Sequence, residues 1–156
     1  MQTSVASVAP TPWFGVYNAL EAATASVTDT LRLELQPFNI EVIELKTGLV
    51  KTVLFKNQND GPKPRLPVNS IYSPPGEIIE DSMLGKTIEI RGVSPESWAR
   101  HVVAGIVKPI PPYRIWKGTE STLAWATAVL PVSFVLSVVS KNEKLDQVTE
   151  IVKLSH

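Results

Sequence analysis

The segment at residues 16–35 constrains the fold of this chain more than any other, because it predicts a long helix between two strand-like segments. One face of this helix is rich in alanine, which allows close packing, and Pro37 stops the helix. An apolar, partly β-branched segment at 4–9 precedes it, and an alternating segment at 40–45 follows it. A strand, a helix and a strand in this order form a βαβ unit, so we predict an α/β fold with a parallel sheet.

The rest of the chain supplies a second helix and a last strand. Ser94 and Pro95 form a helix start, with serine as the cap and proline in the first turn, and predict a helix at 96–107. Residues 113–116 are predicted to form the last strand. The remaining segments are a Pro/Gly-rich loop at 58–86, an apolar helix at 119–140 and an amphipathic tail at 141–156. The whole chain, 1–156, has the size of a single domain.

Composition excludes several classes of function. Fifteen basic residues balance fifteen acidic residues, so the charge offers no footprint for nucleic acid. The absence of cysteine excludes disulfides and zinc–thiolate sites and fits a reducing compartment, so we expect a cytoplasmic protein. With only His101 and His156, we expect no metal site. The apolar segment at 123–139 is predicted to be a buried or interface helix, with contact to a membrane surface as the alternative.

Ser4, Tyr17 and Glu21 form the candidate catalytic group. Tyr17 lies one turn into the predicted helix, 13 residues after Ser4, and Glu21 follows four residues later. Side chains at positions i and i+4 share one face of a helix, so Tyr17 and Glu21 reach the same space. A nearby carboxylate disfavours a phenolate and keeps Tyr17 protonated, which leaves Glu21 as the candidate base.

The spacing of Ser4 and Tyr17 resembles the catalytic core of short-chain dehydrogenases/reductases, and two further motifs support the resemblance. The run Asp29-Thr30-Leu31-Arg32-Leu33-Glu34-Leu35 resembles the end of the family's active-site helix. The run Thr47-Gly48-Leu49-Val50-Lys51-Thr52 resembles the Pro-Gly-x-Val-x-Thr turn that lies under the nicotinamide. The resemblance implies that Ser4 hydrogen-bonds the substrate oxygen and that Tyr17 donates a proton. It also implies a truncated Rossmann-like parallel sheet of about three strands with flanking helices, completed by oligomerisation.

Two departures from the family pattern decide the functional prediction. Glu21 stands where the family has lysine, and the glycine-rich turn that holds a dinucleotide's pyrophosphate is missing. We therefore expect no cofactor and a cofactor-independent, non-redox cyclase, isomerase or dehydratase acting on an apolar small molecule such as a polyketide or terpenoid. Ser4 and Tyr17 would donate hydrogen bonds, and Glu21 would be the base. The alternative is that Tyr17 is a remnant and Glu21 a solvated helix residue.

Six further residues are predicted to bind the substrate. Trp13 and Phe14 stand just before the tyrosine and would line an apolar pocket, the usual character of a small-molecule site. The other four belong to the glycine turn after the second strand: Thr47, Gly48, Val50 and Thr52.

A sheet that lacks half of the family's strands also predicts that this chain binds a second protein chain. The strand at 4–9 would become an exposed apolar edge, and the alanine-rich helix face would lose its cover, so we predict a homodimer or higher homo-oligomer. Two alternatives stay open: a non-catalytic module that binds another protein, and an NADP-dependent reductase fragment complemented by another chain. Glu21 disfavours the fragment, because a simple truncation would retain the lysine.

Overall fold

Three short parallel strands form one sheet in the computed structural model, which describes residues 1–53, 63–84 and 91–155. They are β1 (Gln2–Ser4), β2 (Glu44–Thr47) and β3 (Arg114–Lys117), and β2 lies between the other two. Ser4 pairs with Thr47, and Glu44 pairs with Arg114. The prediction of an α/β fold with a small Rossmann-like parallel sheet is confirmed.

Six α-helices accompany the sheet in the described residues. Their bounds are α1 (Gly15–Leu35), α2 (Gly76–Met83), α3 (Pro95–Ile106), α4 (Ser121–Thr127), α5 (Val132–Asn142) and α6 (Leu145–Leu154). Helix α3 begins close to the predicted position because the Ser94 hydroxyl accepts the N–H of Ser97 at 3.2 Å and Pro95 follows the cap. Helix α1 ends in a 3₁₀ turn, Gln36–Phe38, which contains Pro37.

Helices lie on both faces of the sheet. Successive strand residues point to opposite faces, so two neighbouring residues of β3 contact two different helices. On one face, Nη2 of Arg114 on β3 contacts Oδ2 of Asp29 on α1 at 2.6 Å. On the other face, Ile115 packs so closely on α3 that a methyl group added at Gly105 would lie 2.8 Å from its Cδ1. Open α/β folds bind their ligands at the carboxyl ends of their strands. We therefore expect the functional site at the carboxyl ends of β1, β2 and β3.

Two strands differ from their predicted bounds. Strand β1 ends at Ser4 because the Ser4 hydroxyl accepts the N–H of Ala6 at 3.1 Å and starts a 3₁₀ turn, Val5–Ser7. Strand β2 begins at Glu44 rather than at residue 40, and its charged residues Glu44 and Lys46 are buried. Ile40, in the predicted part of the strand, is 51% exposed. The apolar alternation therefore indicated a strand in the right region but misplaced its start.

The predicted apolar helix at 119–140 is two helices in the structure. Pro131 separates α4 from α5 and lies at the cap position of α5. Within the described ranges, no helix combines the length and the apolar character needed to cross a membrane. The predicted loop at 58–86 lies partly outside the described residues, and its described part includes α2. The predicted amphipathic tail contains α6.

Candidate active site

Ser4, Tyr17 and Glu21 meet where the end of β1 faces the first turns of α1. The backbone N–H of Ser4 donates to Oε2 of Glu21 at 2.8 Å. The side chain of Tyr17 interacts with the hydroxyl of Ser4 and with the carboxylate of Glu21. The structure thus brings together all three residues of the predicted catalytic group, and their catalytic roles stay predictions.

The phenol of Tyr17 is held in its protonated form. Burial raises the pKa of Tyr17, hydrogen bonding by Ser4 lowers it, and the charge and hydrogen bonding of Glu21 raise it, so that the pKa lies above the ordinary 10.0. The side chain is nevertheless 44% exposed, so a molecule in solvent can reach it. At neutral pH Tyr17 is therefore an accessible hydrogen-bond donor and proton source.

Glu21 is half-buried and makes contacts within the site. Its carboxylate accepts the Ser4 N–H and also faces the Tyr17 phenol. A carboxylate that accepts a backbone N–H forms a charge-assisted hydrogen bond, which is stronger than a neutral one. Glu21 is therefore half-buried and hydrogen-bonded to Ser4, and its role as a base or as a solvated helix residue stays open.

Two aromatic pairs involve the predicted pocket residues: Phe14 contacts Tyr17, and Trp13 contacts Tyr72 at an apolar groove. The rings of Phe14 and Tyr17 meet edge to face with their centroids 6.4 Å apart, and those of Trp13 and Tyr72 do so at 5.2 Å. Trp13 has a φ of 70°, an unfavourable value for a bulky residue and one often found at ligand sites. The groove has a volume of about 570 Å³, and its lining includes Pro12, Trp13, Leu66, Pro67, Tyr72 and Met83. Trp13 therefore lines an apolar groove, whereas Phe14 contacts Tyr17, and binding of a substrate by either residue stays a prediction.

Thr47 and Gly48 lie directly beside the catalytic group. Thr47 pairs with Ser4 in the sheet, and its buried hydroxyl has no hydrogen-bond partner within the part of the chain that the structure describes. Gly48 lies so close to the chain after β3 that a side chain there would overlap the carbonyl oxygen of Thr119. Only glycine allows this approach of the two backbones. The turn after β2 is therefore held in one place next to Ser4.

Val50 and Thr52 complete the predicted substrate set. Val50 forms a bridge with Val93, and the N–H of Lys51 donates to the Val93 carbonyl at 2.9 Å. Thr52 is exposed and lies one residue before the end of the first described segment. Binding of a substrate by either residue stays a prediction.

A buried charged cluster lies on the α1 face of the sheet, and the apolar pattern of the sequence did not reveal it. Glu44 is fully buried and accepts hydrogen bonds from three donors, which are Thr3, Lys46 and Arg114. Arg114 also pairs with Asp29 of α1. Burial alone would raise the pKa of Glu44, but these hydrogen bonds hold it below its ordinary value. The signal for this cluster in the sequence was the spacing of Glu44 and Lys46, since residues i and i+2 of a strand point to the same face.

Comparison with known proteins identifies the relatives of this chain. The family model described as short chain dehydrogenase matches residues 2–63. A short-chain dehydrogenase/reductase of Pestalotiopsis microspora, GME11361, is 35% identical over 139 residues, which are 89% of this chain and 52% of that protein. The chain belongs to the short-chain dehydrogenase/reductase family.

Two further relatives, both from yeasts, have names that include a cofactor. The NADPH-dependent 1-acyldihydroxyacetone phosphate reductases of Schizosaccharomyces pombe and Saccharomyces cerevisiae are 31% and 28% identical to this chain. Their matches cover 86% and 96% of this chain, and each covers 49% of the relative. The chain spans about half the length of the curated relatives it matches.

The family relation corrects the functional prediction. The relatives are named dehydrogenases and NADPH-dependent reductases, so the prediction of a cofactor-independent, non-redox cyclase or isomerase is wrong. The relation supports the coarser prediction of an enzyme. In the structure, Oε2 of Glu21, the predicted base, accepts the Ser4 N–H.

The 156 residues of this short-chain dehydrogenase/reductase do not by themselves fit a dinucleotide. They contain no G-x-G-x-x-G turn, whose backbone N–H groups would hold a pyrophosphate. Glu21, at the position of the family's lysine, is already engaged with Ser4 and Tyr17. Residues outside this sequence would therefore have to supply most of a dinucleotide site.

Proposed function

We propose that this chain is the carbonyl-binding and proton-donating half of a short-chain reductase, working with a dinucleotide-binding half that its 156 residues do not contain. The observation that carries the proposal is the meeting of Ser4, Tyr17 and Glu21 at the carboxyl end of β1. The second half lies either elsewhere on the same polypeptide or on a separate chain. The names of the yeast relatives support NADPH as the reductant of the completed enzyme.

Ser4 and Tyr17 would hold the reacting oxygen. A carbonyl oxygen placed between their hydroxyls would accept a hydrogen bond from each, which stabilises negative charge developing on that oxygen. Because Tyr17 is protonated at neutral pH, it can pass its proton to the oxygen. Glu21 keeps the phenol protonated and anchors Ser4 through its N–H. Reduction of a carbonyl uses the protonated form of Tyr17, whereas oxidation of an alcohol would need its phenolate.

The groove beside Trp13 supports an apolar carbonyl compound as the substrate. Trp13, Tyr72 and Met83 contribute large apolar surfaces to it. An apolar and aromatic lining with a few polar groups at one end is typical of small-molecule sites. Trp13 lines the groove and the adjacent Phe14 contacts Tyr17, so we place the apolar part of the substrate in the groove and its carbonyl at Ser4 and Tyr17.

The exposed face of α1 supports the need for a covering half. Val16, Leu20 and Val27 lie along one side of the helix and are 78%, 63% and 52% exposed. The outer edge of β1 has no neighbouring strand in the described part of the sheet. A dinucleotide-binding half docked at this edge would cover both surfaces. The homo-oligomer and the cytoplasmic location stay predictions, and a second copy on α1 is the form of oligomer that these residues favour.

A fusion protein tests the proposal. The part of the Pestalotiopsis microspora relative that this chain does not match is joined to the front of the chain, and NADPH binding and NADPH-dependent reduction of apolar ketones are measured. We expect the fusion to show both, and the 156-residue chain alone to show neither. Tyr17→Phe in the fusion should lower turnover by about 10²–10⁴-fold, the usual contribution of a general acid, without changing NADPH binding. Tyr113→Phe is the matched control, since Tyr113 is 72% exposed and contacts Arg32.

Three results would contradict the proposal. A fusion that reduces the ketone equally well with Tyr17→Phe would remove Tyr17 from the reaction. A fusion that binds NADPH but reduces none of the ketones would favour a non-catalytic module. NADPH binding by the 156-residue chain alone would mean that its own residues build a cofactor site.

A further inference from the structure

Lys46 is a buried cation that is linked to Ser4 of the candidate active site through the hydroxyl of Ser7. It lies on β2 at 3% exposure, and its Nζ is 2.6 Å from Oε1 of Glu44 and 2.7 Å from the hydroxyl oxygen of Ser7. The ring of Trp116 also faces the ammonium group, with its centroid 5.7 Å away. A buried charge needs such partners, so the ammonium group is held in one position.

The hydroxyl of Ser7 has a defined direction. An ammonium group only donates hydrogen bonds, so the Ser7 oxygen must accept from Lys46. The Ser7 proton then donates to the carbonyl oxygen of Ser4, which lies 2.6 Å away. Lys46 thus sets the polarity of a chain of two hydrogen bonds that ends on Ser4.

Ser4 is held at three of its atoms. Its carbonyl oxygen accepts from Ser7, its N–H donates to Glu21, and its hydroxyl oxygen accepts the backbone N–H two residues ahead. Because the hydroxyl oxygen already accepts that bond, the hydroxyl proton of Ser4 is available for Tyr17. Of these three anchors, only the carbonyl bond connects Ser4 to the buried charge of Lys46 on the neighbouring strand.

We propose that Lys46 and Ser7 are positioning residues: the buried ammonium group orients the Ser7 hydroxyl, which holds the Ser4 peptide so that the Ser4 hydroxyl faces Tyr17. The inference rests on the proposed function only for its catalytic consequence, because these hydrogen bonds involve neither cofactor nor substrate. Neither Lys46 nor Ser7 contacts the reacting oxygen in this arrangement. Both act on the chemistry through Ser4.

The ionisation of Tyr17 reports the position of Ser4 without an activity assay. Hydrogen bonding by Ser4 lowers the pKa of Tyr17, so a displaced Ser4 should let that pKa rise. Carbon-13 NMR of tyrosine labelled at Cζ follows the three tyrosines of the chain separately, with the signals assigned by single Tyr→Phe substitutions. We expect Ser7→Ala to shift the Tyr17 titration to higher pH, and Ser7→Thr, which retains the hydroxyl, to titrate like the wild type.

Ser155→Ala is the matched control. The Ser155 hydroxyl also donates to the carbonyl oxygen three residues before it, at 2.8 Å, but it lies at the exposed end of α6. Lys46→Met should shift the Tyr17 titration in the same direction as Ser7→Ala. If Lys46→Met does not fold because Glu44 loses its cation, the two Ser7 variants decide the question alone.

A folded Ser7→Ala protein in which Tyr17 titrates like the wild type would overturn the positioning role. In the fusion enzyme, Ser7→Ala should lower kcat more than it changes KM, because Ser4 remains present but is misdirected. If the fusion with wild-type Ser7 is inactive, that result contradicts the proposed function only. It does not affect the positioning role, because the NMR titration needs no enzyme activity.

Discussion

The backbone N–H of Ser4 donates a hydrogen bond to Oε2 of Glu21 across 2.8 Å, and this bond joins the end of β1 to the second turn of α1. A charged lysine has no acceptor, so the residue usual in the family could not accept this N–H. The exchange of lysine for glutamate therefore changes two properties together: the charge that faces Tyr17 and the anchor of the Ser4 backbone.

Glu21→Gln is expected to lower the pKa of Tyr17, because it removes a negative charge that raises this pKa and keeps an oxygen for the Ser4 N–H. Glu21→Lys should lower it further, since a cation stabilises the phenolate. The ultraviolet absorbance of tyrosinate during an alkaline titration measures both changes. Glu34→Gln, an exposed change later on α1, is the control. An unchanged Tyr17 titration in both Glu21 variants would contradict the electrostatic role of Glu21.

Glu44→Gln is expected to lower the free energy of unfolding by about 3–5 kcal/mol, because it leaves the buried ammonium group of Lys46 without its carboxylate. Denaturant unfolding at neutral pH measures the loss. Glu41→Gln, exposed shortly before β2, should have little effect and serves as the control. A loss no larger than that of the control would mean that the charged cluster contributes little to stability.

The carboxyl group of Glu44 also predicts how the stability of the protein changes at acid pH. Burial alone would raise the pKa of Glu44, but hydrogen bonds from Lys46, Thr3 and Arg114 hold it below the ordinary 4.5. Because the folded pKa is the lower one, the stabilisation is fully present above the ordinary value and is lost as the pH falls through the folded value. Thermal unfolding from neutral to acid pH should show a shallower decline for Glu44→Gln than for the wild type. Parallel declines would contradict this assignment.

The best-predicted elements are those with signals close by in the sequence. Helix α3 was predictable because Ser94 and Pro95 define its start within two residues, and α1 because Pro37 lies just beyond its end. Strand β2 was misplaced because its buried residues are Glu44 and Lys46, whose burial depends on partners from other strands. A hydrophobic pattern cannot show that a charge will be compensated after folding.

The candidate site shows the same division between local and distant effects. The common location of Tyr17 and Glu21 follows from their helical spacing, so the sequence predicted it. The bond from Ser4 to Glu21 joins residues that are 17 positions apart and forms only when β1 packs on α1. The Ser7 and Lys46 contacts are still more distant, 39 positions apart. Sequence reasoning therefore predicted that Tyr17 and Glu21 lie together, but it did not predict the hydrogen bonds that hold Ser4 beside them.

Gly48→Ala is expected to lower the free energy of unfolding by about 3 kcal/mol, because the added methyl group would overlap the backbone carbonyl of Thr119. Gly118, with a φ of 105°, also faces Gly48 and limits any shift of that backbone. Gly15→Ala is the matched control, since nothing lies within 4 Å of its added methyl group, and it should stabilise α1 by about 1 kcal/mol or less. Urea unfolding compares the two. Equal stabilities would mean that the turn beside Ser4 can relax.

Glu143, at the end of α5, should affect stability in the opposite direction to Glu44. Burial raises the pKa of Glu143, the charge of Glu120 raises it further, and Arg91 lowers it, with a net rise above 4.5. Because the folded pKa is the higher one, this carboxyl lowers stability as the pH rises from the ordinary value through the folded value, and the loss persists at neutral pH. Glu143→Gln should therefore stabilise the protein at neutral pH by up to about 1 kcal/mol, since it also removes a negative charge from a helix C-terminus.

Thermal unfolding of the wild type and Glu143→Gln from acid to neutral pH measures this effect. Glu150→Gln, exposed on α6, controls for the loss of one negative charge at a solvated position. The wild-type and Glu143→Gln curves should converge in acid, because a protonated glutamate and a glutamine are both uncharged. A stabilisation of the same size in acid and at neutral pH would mean that glutamine acts through packing, which would contradict the raised pKa as the cause.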